Sequence, residues 1–240
     1  MASTTAPRST IFRRPSQTSG WMSWLTTVDH KKIGIMYGYS AFFFFILGGL
    51  EALLLRLQLA GPDGSVLDAA EYNAMFTMHG TTMVFLFVMP VGAAFFNYML
   101  PLLIGARDVA FPRMNALSFW IFIFGGIFLY SSFLFGTTGA PAGGNLPGGA
   151  TDASWLGSTI NGGWFMYQPN AGPRFSTGTV LDYGAIGLQI LGLSSLIASV
   201  NFIATVFNMR AKGMKLLRMP VFAWMTTVVA FLLLFSLPII

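Results

Sequence analysis

Long apolar runs, separated by short polar stretches, set the organisation of this chain. They cover residues 33–57, 76–104, 116–135, 181–207 and 220–240. A helix needs about 20 consecutive apolar residues to cross the hydrocarbon core of a bilayer, and each run meets that length. The pattern predicts an all-α, polytopic membrane helix bundle with five transmembrane helices. Residues 1–32 form a tail ahead of the bundle, and residues 33–240 form the bundle itself. No repeat is visible, and the runs differ too much in composition to form an inverted pair.

Composition sharpens this picture. Of 240 residues, 55% are hydrophobic and 9% charged, and the mean hydropathy is +0.67. A soluble domain carries about a quarter of its residues as charged side chains, so this chain could not cover a water-facing surface. An ordinary soluble enzyme, a disordered protein and a nucleic-acid binder are excluded as classes. There is no cysteine, hence no disulfide, zinc–thiolate site, iron–sulfur cluster or thiol nucleophile. Only two histidines are present.

The positions of the basic residues set the expected orientation. Arg8, Arg13, Arg14, Lys31 and Lys32 precede the first run. Arg107 and Arg113 follow the second, and Arg210, Lys212, Lys215 and Arg218 follow the fourth. Asp63, Asp68, Glu71, Asp152 and Asp182 fall on the other side. By the positive-inside rule the N-terminus faces the inside. The tail is rich in Ser, Thr and Arg, which suits a transit peptide or a bacterial cytoplasmic tail equally. Trp21 and Trp24 in WMSWLTTV read as a piece lying at the membrane surface. The outer loop after the third run is dense in Gly and Pro and carries Trp155, Trp164 and Tyr167, which fits either a linker or a lid.

Polar groups inside membrane spans are costly, and each is a site hypothesis. His79 lies in the outer third of the second span. It reads either as a histidine bonded to a neighbouring helix or as a haem ligand, with Gly80 giving a planar macrocycle room and Met83 sharing the face at i+4. Arg56 ends the first span at what topology suggests is a similar depth; it either snorkels to the interface or donates to a polar cofactor substituent. Glu51 is expected to face the bundle interior, protonated or hydrogen-bonded, and pairs poorly with Arg56, about 140° around the helix. On the inner side, Asn97, Asn115, Ser118, Ser194, Ser195 and Asn201 come from three helices, behind Asp108 as an aqueous-facing carboxylate. Interhelical hydrogen bonding and a water-filled proton path both account for them.

Four stretches carry a resemblance. They are Asp29-His30-Lys31-Lys32-Ile33-Gly34, AEYNAMFTMHGTTMVFLFVMP around His79, NYMLPLLIGARDVAFPRMNALSFW, and GLSSLIASVNFIATVFNMR. Together they resemble the catalytic subunit, subunit I, of haem–copper terminal oxidases from Thr26 to the last residue, and IGARDVAFPRMN is very specific. The resemblance implies that His79 is an axial ligand of a low-spin haem iron, of haem A type. Arg56 would bond a haem substituent, Tyr72 and Met83 would line the pocket, and Trp164 would reach the propionates. It further implies that Asp108 opens the D proton pathway, with Asn97, Asn115, Ser118, Ser194, Ser195 and Asn201 along it.

The departures matter equally. Family members continue past the fifth helix, where a His-Pro-Glu-Val-Tyr motif and the ligands of copper and a high-spin haem lie. Those cofactors are expected only in a complete subunit, so the chain reads as a fragment or as the first piece of a split one. Quinol-oxidising relatives carry an Arg/Asp/His/Gln set; here the matching positions read Leu47, Glu51, Glu71 and Ala74, which favours cytochrome c as donor. Gln58 stands where many relatives carry a carboxylate near an outer metal site, so no such site is expected. The implied partners are oxidase subunits II and III, cytochrome c and the bilayer, with no nucleic acid. The implied location is a bacterial or archaeal plasma membrane rather than the mitochondrial inner membrane. A quinol-oxidising or nitric-oxide-reducing relative, and a cofactor-free transport or assembly protein, are the alternatives.

Overall fold

A computed structural model describes residues 20–62, 64–139, 159–169, 171–172 and 176–236. The basic residues Arg8, Arg13 and Arg14, the acids Asp63 and Asp152, Trp155, Arg174 and the last four residues lie outside these. A single turn, α1 (Met22–Leu25), leads into α2 (His30–Gln58). The second apolar run becomes one continuous rod: α3 (Ala69–Thr81), a π-helical segment (Thr82–Val88) and α4 (Met89–Leu103). Then come α5 (Pro112–Phe135), α6 (Val180–Asn208), a 3-10 turn (Leu216–Arg218) and α7 (Val221–Ser236). A two-residue antiparallel pair, β1 (Thr138–Gly139) with β2 (Thr177–Gly178), ties the ends of α5 and α6 together.

Capping explains why helices outrun the apolar runs. Asp29 accepts from the backbone N–H groups of Lys31 and Lys32, so α2 begins in polar sequence, ahead of residue 33. Asp68 and Glu71 form a reciprocal capping box that starts α3 seven residues before the apolar stretch. Four helical rods, α2, the α3–π–α4 rod, α5 and α6, are long and apolar enough to cross a membrane, whereas α7 is shorter over its described residues. Residues 237–240 of the expected fifth span lie outside the described residues.

Proline shapes the long rod. Pro90 has no N–H, and its ring opposes the carbonyl four residues earlier; the backbone widens into the π segment just before it. Pro101, inside α4, leaves the Asn97 carbonyl without its helical donor. The ring of His30 supplies one, with Nδ1 2.9 Å from Asn97 O, and so pins the start of α2 to α4.

Close approach of backbones holds the bundle. A Cβ on Gly34 would lie 2.9 Å from Ala94 O, and one on Gly187 would lie 2.6 Å from Leu129 Cγ. These contacts bring α2 onto α4 and α6 onto α5, as small residues do in membrane bundles. The main core joins Tyr37, Phe44, Leu86, Phe122, Leu129 and Leu191, and a second links α4, α6 and α7 at the basic end. Large apolar side chains such as Phe42, Leu53, Phe124, Ile127 and Leu232 face outward. Such a surface requires lipid: this is an integral membrane protein.

Candidate functional site

His79 sits in the last turn of α3 and points at α2. Its Nδ1 lies 2.8 Å from the carbonyl oxygen of Gly48. A carbonyl only accepts, so Nδ1 carries the proton, and in the neutral ring Nε2 keeps its lone pair for a metal. Two glycines let neighbouring side chains pack close to His79. A Cβ at Gly48 would meet Met83 Sδ at 2.8 Å, and one at Gly80 would lie 3.6 Å from Trp164 Cδ1. Met83 therefore lies against α2 beside the His79 anchor point. Trp164, 46% exposed, lies beside Gly80 with its ring 5.9 Å from that of Phe85.

The loop carrying Trp164 is anchored to the bundle at residues 159–163, while Trp164, Phe165 and Tyr167 stay exposed. Gly163 N donates to Thr77 Oγ1 at 3.0 Å, Thr159 and Ser132 share a hydrogen bond, and Ile160 is buried. Tyr72 packs farther out, with Leu55, Leu67 and Met75. Arg56 is exposed in the last turn of α2. The expectation of similar depth is corrected here: Arg56 starts eight residues past Gly48, about 12 Å farther along the axis, so its guanidinium must reach back to meet anything bound at His79.

A second group gathers at the basic end. Asn97, Asn115, Ser118, Ser194 and Asn201 are all buried and come from α4, α5 and α6. Ser194 Oγ donates to Ser118 O at 2.6 Å, Ser118 Oγ donates to Asn115 O, and Tyr37 OH lies 3.2 Å from Ser118 Oγ. Several amide atoms have no partner among the described residues: Asn97 Oδ1, both side-chain atoms of Asn115, and Asn201 Nδ2. Buried amide groups left this way are the kind that ordered water satisfies. Ser195 is half-buried and bonds its own helix at Leu191 O.

Asp108 departs from expectation. It is 4% exposed rather than aqueous-facing, and its Oδ1 accepts from Val109 N at 2.8 Å. The reason is the loop around it, which is clamped to α6: Ala110 N donates to Thr205 Oγ1 and Phe111 N to Asn201 Oδ1, both at 2.8 Å. Sequence reading missed Thr205, Thr77, Tyr37 and Gly48, whose partners are more than 30 residues away. It also missed Tyr130, a lone phenol in an apolar span, which was the signal available. Gln58 serves as a loop clamp: its Oε1 accepts from Val66 N and Leu67 N, and its Nε2 donates to Gly64 O.

The class so defined is a membrane helix bundle with an anchored histidine and, toward the basic end, a buried polar column. The sequence profile described as Cytochrome C and Quinol oxidase polypeptide I matches residues 32–240, and the chain belongs to that family. It is 48% identical over 224 residues to cytochrome c oxidase subunit 1 of Bacillus subtilis (strain 168), covering 92% of this chain and 32% of the relative. Similarity to cytochrome c oxidase subunit 1 of Bacillus sp. (strain PS3) is 46% over 231 residues, covering 96% and 34%. Quinol oxidase subunit 1 of Bacillus subtilis (strain 168) is 42% identical over 220 residues, covering 92% and 31%. The chain thus spans about a third of the length of the curated relatives it matches.

Proposed function

We propose that this chain is the N-terminal part of the catalytic subunit of a bacterial respiratory cytochrome c oxidase, a proton-pumping oxidoreductase of the plasma membrane. In this reading five spans cross the bilayer, the tail of residues 1–32 and the basic loops are cytoplasmic, and 33–240 begin the subunit I domain. The complete subunit works with subunits II and III and takes electrons from cytochrome c. Its remaining cofactors, a high-spin haem and copper, bind beyond these residues.

The observation that carries the reading is the committed tautomer of His79. With Nδ1–H donated to Gly48 O, Nε2 is the one ring nitrogen able to bind iron, and the hydrogen bond holds the ring in one orientation. Gly80 adds no side chain beside the histidine, Gly48 lets Met83 pack close to it, and Trp164 next to Gly80 would offer an indole N–H to the propionates. A low-spin haem of A type bound there supplies one-electron transfer. Around it, His79 holds the iron, Met83 packs an edge, Tyr72 closes the outer side and Arg56 reaches inward to a polar substituent.

Proton uptake is assigned to the polar column. Asp108 takes protons at the basic end, and Asn97, Asn115, Asn201, Ser118, Ser194 and Ser195 orient water toward the bundle centre. The unpartnered amide atoms support water there.

The donor assignment rests on how the four comparable positions are used. Glu71 is held in the α3 capping box, Ala74 and Glu51 are buried, and Leu47 packs on the core. None keeps the Arg, His or Gln of the quinol-oxidising set, and only an acid, Glu51, remains, which supports cytochrome c as the donor.

The test is His79→Ala in the assembled oxidase. The low-spin haem optical band is expected to vanish while the high-spin haem is retained. A normal low-spin band in that variant would overturn the reading.

A further inference from the structure

We propose that Glu51 is the proton acceptor coupled to electron arrival at the His79 site: it takes up one proton when the low-spin haem is reduced and releases it on oxidation. This rests on the reading of His79 as a haem ligand.

A hydrogen-bonded relay beside Glu51 is left unused by the function assigned above. Tyr130 OH lies 3.0 Å from Glu51 Oε1 and 2.8 Å from Thr82 Oγ1. The phenol has one proton, which it donates to Glu51, so the Thr82 hydroxyl donates to Tyr130. All protons along the relay point toward the carboxyl group. Glu51 is 6% exposed, and its Oε2 is buried with no partner among the described residues. An unpartnered carboxyl oxygen in such a place is costly, and a Tyr–Thr contact alone would hold the helices together without it. The open oxygen is where a proton can be added.

Placement links this carboxyl to the histidine. Glu51 is three residues past Gly48, whose carbonyl holds His79, and Thr82 is three residues past His79. Each end of the relay is therefore about one helical turn from one end of the His79–Gly48 bond. Charge interactions over such distances are strong where water is excluded. A haem held by His79 would lose one positive charge on accepting an electron from the oxidase's one-electron donor. That weakens the attraction holding Glu51 as carboxylate, so an O–H bond forms at Oε2 with a proton drawn from water. Oxidation reverses both changes.

Few other groups compete. From α5 only Tyr130 faces Glu51, since Arg113 is 17 residues away, about 25 Å along the helix. From α3, His79 is held by Gly48, Glu71 is in the capping box, and Tyr72 packs against Leu55. The sole titratable group of α4, Tyr98, packs against Gly34, about 25 Å along α2 from Glu51. On α2 itself, Arg56 points about 140° away.

The test uses the assembled oxidase and its Glu51→Gln variant. Redox titration of the low-spin haem is run across pH, together with reduced-minus-oxidised infrared difference spectra. In the wild type the midpoint potential should fall as pH rises, and a carboxylic acid C=O band should appear on reduction. Glu51→Gln should lose that band and flatten the slope by more than half, with the haem optical band intact. Tyr130→Phe should keep the infrared band and shift its position. If slope and band persist in Glu51→Gln, the proposal is overturned. A wild type lacking low-spin haem would instead overturn the reading of His79. Should Glu51→Gln fail to assemble, Glu51→Asp decides: a displaced band supports the proposal, and an unmoved one overturns it.

Discussion

Gly48 shows how much rests on a missing side chain. Its carbonyl orients His79, and the space where a Cβ would stand is bounded by Met83 Sδ at 2.8 Å and Thr82 Cγ2 at 3.2 Å. Gly48→Ala must displace the Met83 thioether and crowd the Thr82 methyl, an overpacking cost toward the low end of about 1–3 kcal/mol. A lower thermal midpoint of the assembled oxidase and a weakened low-spin haem band are expected, read by melting and optical spectroscopy. An unchanged spectrum would mean that the anchor tolerates movement. In sequence, Gly48 was one of a pair of glycines in an apolar span. Its role became visible only once His79, 31 positions later, was found against it. Gln58 is similar: read as the absence of a metal ligand, it turned out to close the loop after α2 with three hydrogen bonds.

At the level of elements, proline and its compensation recur. Pro101 frees the Asn97 carbonyl and His30 takes it up. Pro90 follows the π segment, which adds a residue to the turn between His79 and α4. Such bulges frequently mark functional sites. Pro90→Ala restores the missing N–H and lets 82–88 tighten toward an α-helix, rotating α3 against α4. The expected outcome is an assembled protein with altered low-spin haem absorption and little loss of thermal stability. If absorption is unchanged, the π segment does not set the pose of His79. The apolar runs made the four long rods legible, because hydrocarbon demands a certain length of apolar helix. The helix starts in polar sequence were set by Asp29 and the Asp68–Glu71 pair. The π register was not legible, since it depends on how the rod packs on α2 and α5.

Across the whole molecule, the loop bearing Asp108 is held by α6, far away in sequence. Asn201→Leu removes the acceptor of the part-buried Phe111 N–H, at a cost of about 1 kcal/mol, and should free the loop. Faster proteolysis at residues 105–111 in the assembled oxidase is the measurement. Asp108→Asn tests the chemistry separately: slower steady oxygen consumption and a lower proton-to-electron ratio are expected, and an unchanged ratio would leave the polar column a structural feature only. Membrane residence and the identity of the polar residues were written into the sequence, because each follows from local composition and length. Which carbonyl holds His79, that Asp108 is covered, and that Glu51 meets Tyr130 and Thr82 were decided by tertiary structure. Each joins residues from different helices, and the pattern along one helix carries no information about which neighbour its polar groups will meet.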